Sequence, residues 1–306
     1  MSLTRIAFCG LALVSSLAAA SEARAWCQSC TVEAPPAASC AQSCFCPVDT
    51  NPDAHFLFWD RSCMELSVMD MPGPAFTTAE LDSAIDRSFA RWTELDCGGG
   101  RRPGFEIRRT DDRALCDIAQ YVSGEGNANT IAVVHDGWEE RAGHDRAAFA
   151  LTTTFFLLST GEIVDADMEL NEEHWDFATC PEEGCMDGSV DLENTLTHEA
   201  GHFFGLAHTN VDIESTMWAC ADAGETFKRT LAPDDIEGMC TIYGPDALPS
   251  ECRFTPRGGF DPFCAEDRKE GCGCRVAAAT SSAPWSLLVL FGVVLGWRVS
   301  RRGARG

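Results

Sequence analysis

Two stretches of the chain repeat apolar residues every three or four positions, which is the period of a helix that buries one face. The first stripe follows a capping threonine, Thr77 or Thr78, ends before the glycines at 98–100, and consists of Leu81, Ile85, Phe89 and Trp92. The second begins near residues 189–191, has an acidic first turn that suits the helix dipole, and consists of Leu192, Leu196, Ala200 and Phe203. We therefore predict two amphipathic helices.

Shorter runs rich in β-branched and aromatic residues predict strands around these helices. They cover residues 55–59, 64–69, 105–109, 129–134 and 148–158. The stretch 161–171 alternates strictly, with one face that is mostly acidic, formed by Ile163, Asp165, Asp167 and Glu169, and an apolar face, formed by Val164, Ala166, Met168 and Leu170. The segment from 55 to 109 is thus predicted as strand, helix and strand.

Three of the seven histidines fall within eleven residues, as His198, His202 and His208. His198 and His202 are four positions apart, so on a helix both imidazoles leave the same face and can bind one metal ion. Gly205 can turn the chain out of the helix, which lets His208 return as a third nitrogen ligand and leaves a fourth position for water. Glu199 lies beside this centre and is well placed to take a proton from the water, so the pattern predicts a catalytic zinc.

A single helical histidine is more often packed or solvated than a ligand, but here Glu199 and Gly205 occupy the positions that the chemistry requires. The full pattern H-E-x-x-H-x-x-G-x-x-H resembles that of the metzincin zinc peptidases. Those enzymes carry a methionine turn beneath the metal, and Met217 in the stretch 214–218 matches it. The resemblance implies an α+β fold, with a twisted mixed β-sheet, an active-site helix, a backing helix and a small C-terminal subdomain after the zinc motif.

Two further stretches are similar to the matrixin branch of this clan. The stretch 161–171, G-E-I-V-D-A-D-M-E-L-N, resembles the strand that precedes the active-site helix in matrixins, and 231–244 resembles their closing helix. With the strand, helix and strand of the opening segment, the resemblance covers about residues 53–246. It implies Ca²⁺ ligands among Asp165, Asp167 and Glu169, whose hard oxygens suit that ion. A solvated edge face is the alternative use of these carboxylates.

The chain departs from the matrixin pattern in several respects. It lacks the P-R-C-G-x-P-D latency motif, and the predicted leader is too short for a standard propeptide, although an unpaired cysteine between Cys27 and Cys46 is a candidate cap for the zinc. The second, structural zinc of animal matrixins needs histidines in a pattern that is not followed here. We therefore interpret the remaining histidines of that region as surface or core residues, and they are His135, His144 and His174.

The N-terminal residues 1–25 predict a signal peptide. Arg5 precedes an apolar run over residues 6–20, and Ala23-Arg24-Ala25 fits a cleavage site that would leave Trp26 first. A membrane anchor is the weaker interpretation because the apolar core is short. Export favours disulfides among the 17 cysteines of the chain.

Residues 26–52 are predicted to form a Cys-rich leader. Its closely spaced cysteines, Cys27 with Cys30 and Cys44 with Cys46, would also fit a second zinc site, but oxidising surroundings favour bridges. Further along the chain, two bridges are predicted, Cys180–Cys185 and Cys220–Cys240.

The C-terminal end is different in kind. After a Cys-rich linker at 247–274, residues 275–306 combine an alanine-rich approach, an apolar run from Trp285 to Trp297 and a cluster of four arginines after that run. This tail resembles the MYXO-CTERM sorting signal of myxobacterial surface proteins. The alternative is a retained single-pass membrane anchor, with its arginines on the cytoplasmic side. In either case the domain at 53–246 is expected to face outward, and membrane contact is expected only through the tail.

The formal net charge is −24, and the two ends reduce it. Residues 1–25 carry a net +1 and residues 275–306 a net +5, which leaves −30 for the part between them. Such a surface repels nucleic acid and anionic lipid, so neither is an expected partner.

Together, these patterns predict an exported or cell-surface zinc endopeptidase that acts on protein or peptide substrates. Zn²⁺ would be held by His198, His202 and His208, and Glu199 would act as the general base. A surface binding or adhesion module with a structural zinc is the alternative from another class, and Glu199 argues against it. A zinc hydrolase of non-peptide bonds is disfavoured by the Met217 turn and the closing helix.

Overall fold

The computed structural model describes residues 26–32, 44–69, 76–209 and 212–265. The predicted signal peptide and the predicted C-terminal tail lie outside the described residues. Within those residues, no helix has both the length and the apolar composition needed to cross a bilayer.

A mixed β-sheet of six strands forms the centre of the fold. In chain order, the strands of the described residues, including two small two-stranded sheets, β1 with β10 and β8 with β9, are β1 Cys27–Gln28, β2 Phe58–Trp59, β3 Cys63–Val68, β4 Glu106–Arg109, β5 Asn129–Val134, β6 Ala150–Phe156, β7 Glu162–Asn171, β8 Phe177–Ala178, β9 Val190–Asp191 and β10 Leu206–Ala207. The helices are α1 Thr78–Thr93, α2 Leu192–Phe203 and α3 Pro233–Tyr243. The large sheet runs β2-β7-β5-β3-β4, and β6 pairs with β7. Only the β6–β7 pair in this sheet is antiparallel. The predicted α+β fold is confirmed.

Helix α1 begins and packs as its sequence predicts. Thr77 and Glu80 form a capping box, in which the Thr77 hydroxyl accepts the Glu80 amide at 3.2 Å and the Glu80 carboxylate accepts the Thr77 amide at 2.7 Å. The predicted apolar stripe of this helix is buried. It packs against α2, so the backing helix supports the helix that carries the histidine motif.

Helix α2 is buried on every side, which an amphipathic stripe alone does not predict. All twelve of its residues are buried because the helix packs against α1, against β6 and against the short 3-10 turn Phe227–Arg229. Its N-cap, Asp191, accepts the Asn194 amide at 2.7 Å and also pairs with Arg229. A polar side chain on α2 is therefore held inside the protein.

Strand β7 is buried on both faces, so the expectation of a solvated acidic face is wrong. Asp167 accepts the backbone amides of Thr130 at 2.7 Å and Gln120 at 2.9 Å. Glu169 pairs with Arg141 at 2.5 Å and with His144 at 3.0 Å. The acidic side chains are inaccessible because β5, which carries Thr130, and the loops before and after β5, which carry the other partners, cover this face.

Disulfides join both neighbouring and distant parts of the chain. The pairs between described residues include Cys27–Cys44, Cys30–Cys46, Cys63–Cys252, Cys97–Cys240, Cys116–Cys264 and Cys180–Cys185. The predicted Cys180–Cys185 bridge is confirmed. The predicted Cys220–Cys240 bridge is wrong, because Cys240 of α3 meets Cys97 just beyond α1. The four leader cysteines named as a second zinc site are bonded to one another, which also removes them as candidate caps for the zinc.

Candidate active site

The three histidines of the motif converge on one point. The Nε2 atom of His208 lies 3.2 Å from that of His198 and 3.1 Å from that of His202. His198 and His202 come from consecutive turns of α2, whereas His208 follows β10 after the chain turns at Gly205, whose φ is +86°. A side chain at this turn would also contact the carbonyl oxygen of Leu57, at 2.8 Å from the Cβ position. The turn therefore requires glycine.

Hydrogen bonds to the backbone fix the tautomers of the two helical histidines. His198 Nδ1–H donates to the carbonyl of Thr216 at 2.6 Å, and His202 Nδ1–H donates to that of Leu206 at 2.9 Å. Each Nε2 then points its lone pair toward His208. A tetrahedral zinc with Zn–N bonds of about 2.0–2.1 Å separates its ligand nitrogens by about 3.3 Å. The three nitrogens are therefore already spaced to hold that ion.

Burial also keeps these imidazoles neutral, as a metal ligand must be. It lowers the pKa of His202 to about 4. Burial, followed by repulsion from the neighbouring imidazoles, holds the pKa of His198 and of His208 well below the usual value. Three uncharged nitrogen donors with no competing proton favour a divalent cation.

Glu199 lies next to His198, and its carboxylate is held from one side only. The Thr152 hydroxyl of β6 donates to Glu199 Oε2 at 2.6 Å, while Oε1 is buried and has no hydrogen-bond partner among the described residues. Burial raises the pKa of Glu199 to about 7. Glu199 thus has one oxygen without a hydrogen bond and a pKa near neutral pH, as a general base requires. Sequence reasoning missed Thr152, whose only signal is its place in a strand.

Met217 lies under the motif and is anchored from α3. The Asp235 carboxylate accepts the backbone amides of Thr216 at 2.8 Å and Met217 at 3.2 Å, and the Ser215 hydroxyl at 2.7 Å. The Met217 side chain reaches α2 at Gly201, between the two helical histidines. The closing helix therefore holds the turn whose Thr216 carbonyl orients His198.

A buried lysine supports the segment that follows this turn. Lys228 is fully buried, and its ammonium donates to the carbonyls of Trp218 at 2.8 Å and Cys220 at 2.6 Å. Burial lowers the pKa of Lys228 to about 7, while the neighbouring Glu225 acts in the opposite direction. Nothing in the local sequence indicated this role, because both carbonyls belong to a loop without periodic pattern.

The acidic residues of β7 are not gathered around one point in the same way. Within the described residues, only two groups of side chains are close enough to share an ion, the three histidines and a group whose two cysteines form a disulfide. Asp167 and Glu169 already have partners, whereas both oxygens of Asp165 are buried without a hydrogen bond. The predicted calcium site stays a prediction.

The three histidines interpreted from the sequence as surface or core residues all pair with glutamates. The pairs are His135 with Glu172, His144 with Glu169 and His174 with Glu139.

The segment that carries both the fold and the candidate site matches one known family. The family model Peptidase_M10, described as Matrixin, matches residues 58–244, which include every element from β2 to α3. The chain belongs to the matrixin family. Matrixins are zinc-dependent metallopeptidases, so the family resemblance predicted from the histidine motif, the 161–171 strand and the closing helix is confirmed.

Individual relatives of this matrixin are distant and longer. Metalloendoproteinase 1-MMP of Arabidopsis thaliana is 38% identical over 193 residues, which is 61% of this chain and 45% of that protein. Metalloendoproteinase 2-MMP of the same plant is 27% identical over 61% of this chain and 43% of its own length. Interstitial collagenase of Oryctolagus cuniculus is 25% identical over 58% of this chain and 31% of its own. This matrixin thus spans less than half the length of these relatives.

Proposed function

We propose that this matrixin is an exported zinc endopeptidase that hydrolyses peptide bonds in protein substrates. One observation carries the proposal, namely that three buried, neutral imidazoles converge beside a carboxylate that keeps one oxygen free. A purely structural zinc site closes its coordination sphere with four protein ligands. Here three protein ligands and an adjacent base fit a catalytic site better.

The residues divide the chemistry among them. A zinc ion held by His198, His202 and His208 would act as a Lewis acid and lower the pKa of a bound water from 15.7 to about 7. Glu199 Oε1 accepts the proton of the attacking water and later returns it to the leaving amine. The Thr152 hydroxyl holds the other oxygen, which limits rotation of the carboxylate and leaves Oε1 available for this role.

The edge of the large sheet supports an extended substrate. Strand β6 pairs with β7 on one side, and its other edge has no partner among the described strands. Thr152 of this strand contacts Glu199 directly. A substrate chain added to the free edge by backbone hydrogen bonds would therefore lie beside the general base.

Export and the ends of the chain belong to the proposal as well. We propose residues 1–25 as a signal peptide, 26–52 as the Cys-rich leader, 53–246 as the peptidase domain, 247–274 as a linker and 275–306 as a sorting tail. The disulfides support an oxidising compartment. Mass spectrometry of surface-released protein should find a C-terminus near Cys272 or Cys274, and recovery of intact Arg302 would favour a retained anchor instead.

A calcium ion at the acidic face of β7 remains part of the proposal. It is supported by the two unpartnered oxygens of Asp165. Calcium should raise the melting temperature of the parent, and Asp165→Asn should remove that increase. An equal increase in both proteins would exclude Asp165 as a ligand.

The central experiment separates catalysis from metal binding. Glu199→Gln keeps the shape of the side chain but removes the base, so we expect about one zinc per chain and a fall in peptide cleavage of about 10² to 10⁴. In contrast, His202→Ala removes a ligand, so zinc content and cleavage should fall together.

A matched control comes from the same helix. Glu193 lies on α2, is buried, and pairs with Arg87 at 2.6 Å rather than with the site. Glu193→Gln should keep both zinc and cleavage. Full cleavage by Glu199→Gln, or a zinc-loaded parent that cleaves nothing in a diverse peptide library, would replace the peptidase proposal by a binding module with a structural zinc.

A further inference from the structure

The leader contacts the site through the turn that delivers the third histidine. Strand β1 pairs antiparallel with β10, in the register Cys27 to Ala207 and Gln28 to Leu206. The next residue, Ser29, donates its backbone amide to the Gly205 carbonyl at 2.8 Å. The leader is therefore bonded to the three residues that directly precede His208.

The other edge of the leader strand is bonded to the segment before β2. The amide of Leu57 donates to the Ser29 carbonyl at 2.9 Å, and the amide of Thr31 donates to the His55 carbonyl at 2.9 Å. The Gln28 side chain also donates to the Leu57 carbonyl at 2.8 Å. The strand lies between two parts of the domain, and the residues from Trp26 to Thr31 are buried or half-buried.

One carbonyl connects the leader to a metal-binding imidazole. The Leu206 oxygen accepts the Nδ1–H of His202 at 2.9 Å and also the hydroxyl of Ser29 at 3.1 Å. The two donors share one acceptor, so Ser29 helps to fix the direction of the carbonyl that orients His202. An outer hydrogen bond of this kind controls the orientation and basicity of a ligand.

Two disulfides fix this short strand. Cys27–Cys44 and Cys30–Cys46 lie on either side of Ser29 in the sequence, with separations of 17 and 16 residues. A two-residue pairing alone is weak. The bridges hold it in place, and the ring of Trp26 adds packing against α3, where it lies 3.0 Å from the position of a Cβ at Gly238.

We propose that the leader strand is a positioning element of the metal site, which acts through Ser29 and the two flanking disulfides on His202 and His208. The inference rests on the proposed function only in that these histidines bind zinc. It also means that the leader is a fixed part of the mature domain and not a removable segment, because its loss would remove the Ser29 donor from the Gly205 carbonyl and one of the two donors from the Leu206 carbonyl.

The first test is zinc affinity, measured by competition with a chromophoric chelator on the folded full-length chain. Ser29→Ala should weaken zinc binding by about tenfold, the lower end of the effect of removing an outer hydrogen bond. Thr31→Ala, in the same leader, is the matched control, because the Thr31 hydroxyl bonds the Asp53 carbonyl and the His55 amide rather than residues 205–208. This control should bind zinc as the parent does.

The second test removes a bridge. Replacing Cys27 and Cys44 by serine should speed zinc release to the chelator, whereas replacing Cys180 and Cys185, whose bridge closes a loop with a separation of only 5 residues, should leave the rate unchanged. Parent-like zinc affinity in Ser29→Ala together with parent-like release in the Cys27 and Cys44 variant would overturn the inference while the proposed function stands. A parent that binds no zinc would overturn both.

Discussion

Gly201, between the two helical histidines, has no room for a side chain. A Cβ at this position would lie 2.2 Å from the sulfur of Met217 and 2.9 Å from a ring carbon of Trp92. Trp92 is fully buried, and its indole N–H donates to the Thr197 carbonyl at 2.8 Å. The methionine therefore has to move to admit a methyl group.

Gly201→Ala should destabilise the protein although alanine is the better helix former. In a helix interior the change normally stabilises by about 0.5–1 kcal/mol. An added methyl in a packed core costs about 1–3 kcal/mol, and a contact of 2.2 Å requires the upper end of that range. The net loss is about 2 kcal/mol, or about 4–8 °C in melting temperature for a domain of this size. Zinc retention should fall too, because the displaced turn carries the Thr216 carbonyl bonded to His198.

A double-mutant cycle tests this reasoning. Met217→Ala alone should cost about 2–5 kcal/mol through the cavity that it leaves. Combined with Gly201→Ala it provides room for the new methyl group, so the pair should be less destabilised than the sum by about 1–2 kcal/mol. Denaturant unfolding of the four proteins gives this coupling energy. A Gly201→Ala variant as stable as the parent, or strict additivity, would refute the packing argument.

Three other changes have definite expected outcomes. Tyr243→Phe should lower the free energy of unfolding by about 1–3 kcal/mol in a denaturant titration, because the buried hydroxyl accepts the Trp59 amide at 3.0 Å and donates to the Phe204 carbonyl at 2.7 Å. Burial raises the pKa of Asp165, so the folded state keeps a proton that the unfolded state loses above its pKa of about 3.9, and stability falls as pH rises. Asp165→Asn should therefore raise the melting temperature in chelator at pH 7 more than at pH 4, and an equal gain at both would contradict this. Replacing Cys63 and Cys252 by serine should cost up to about 5 kcal/mol, since their bridge spans 189 residues, and calorimetry checks this.

The parts of the protein that the sequence predicts best are those in which the physical reason is local. The spacing of His198 and His202 needs only the helical period, and the N-cap predicted at Thr77 or Thr78 needs only the start of the apolar stripe that follows it. The same holds for the Cys180–Cys185 bridge, whose partners are close in any conformation of the loop. These expectations are confirmed.

The features that the sequence did not predict depend on pairing between distant segments. Ser29 and Leu206 are 177 positions apart, and no local pattern indicates that a cysteine-rich leader forms a strand beside β10. Cys240 bonds Cys97, which is 143 positions away, and no local spacing predicts that pair. The sequence of β7 alternates as it does in a strand with one solvated face. In the folded protein, however, the acidic face is covered, and Arg141 from the loop after β5 forms an ion pair with Glu169 there.

Under the proposed function, each copy of the protein is also a potential substrate for the others, and the long-range bridges determine what happens if one copy cuts another. The loop after Cys185 offers an accessible site, since Met186 is 93% exposed. A cut there falls inside three intervals that are closed covalently, by Cys63–Cys252, Cys97–Cys240 and Cys116–Cys264. Both fragments would stay joined around the histidine site, as one species on a non-reducing gel and two after reduction. Self-digestion would then nick the enzyme without taking it apart.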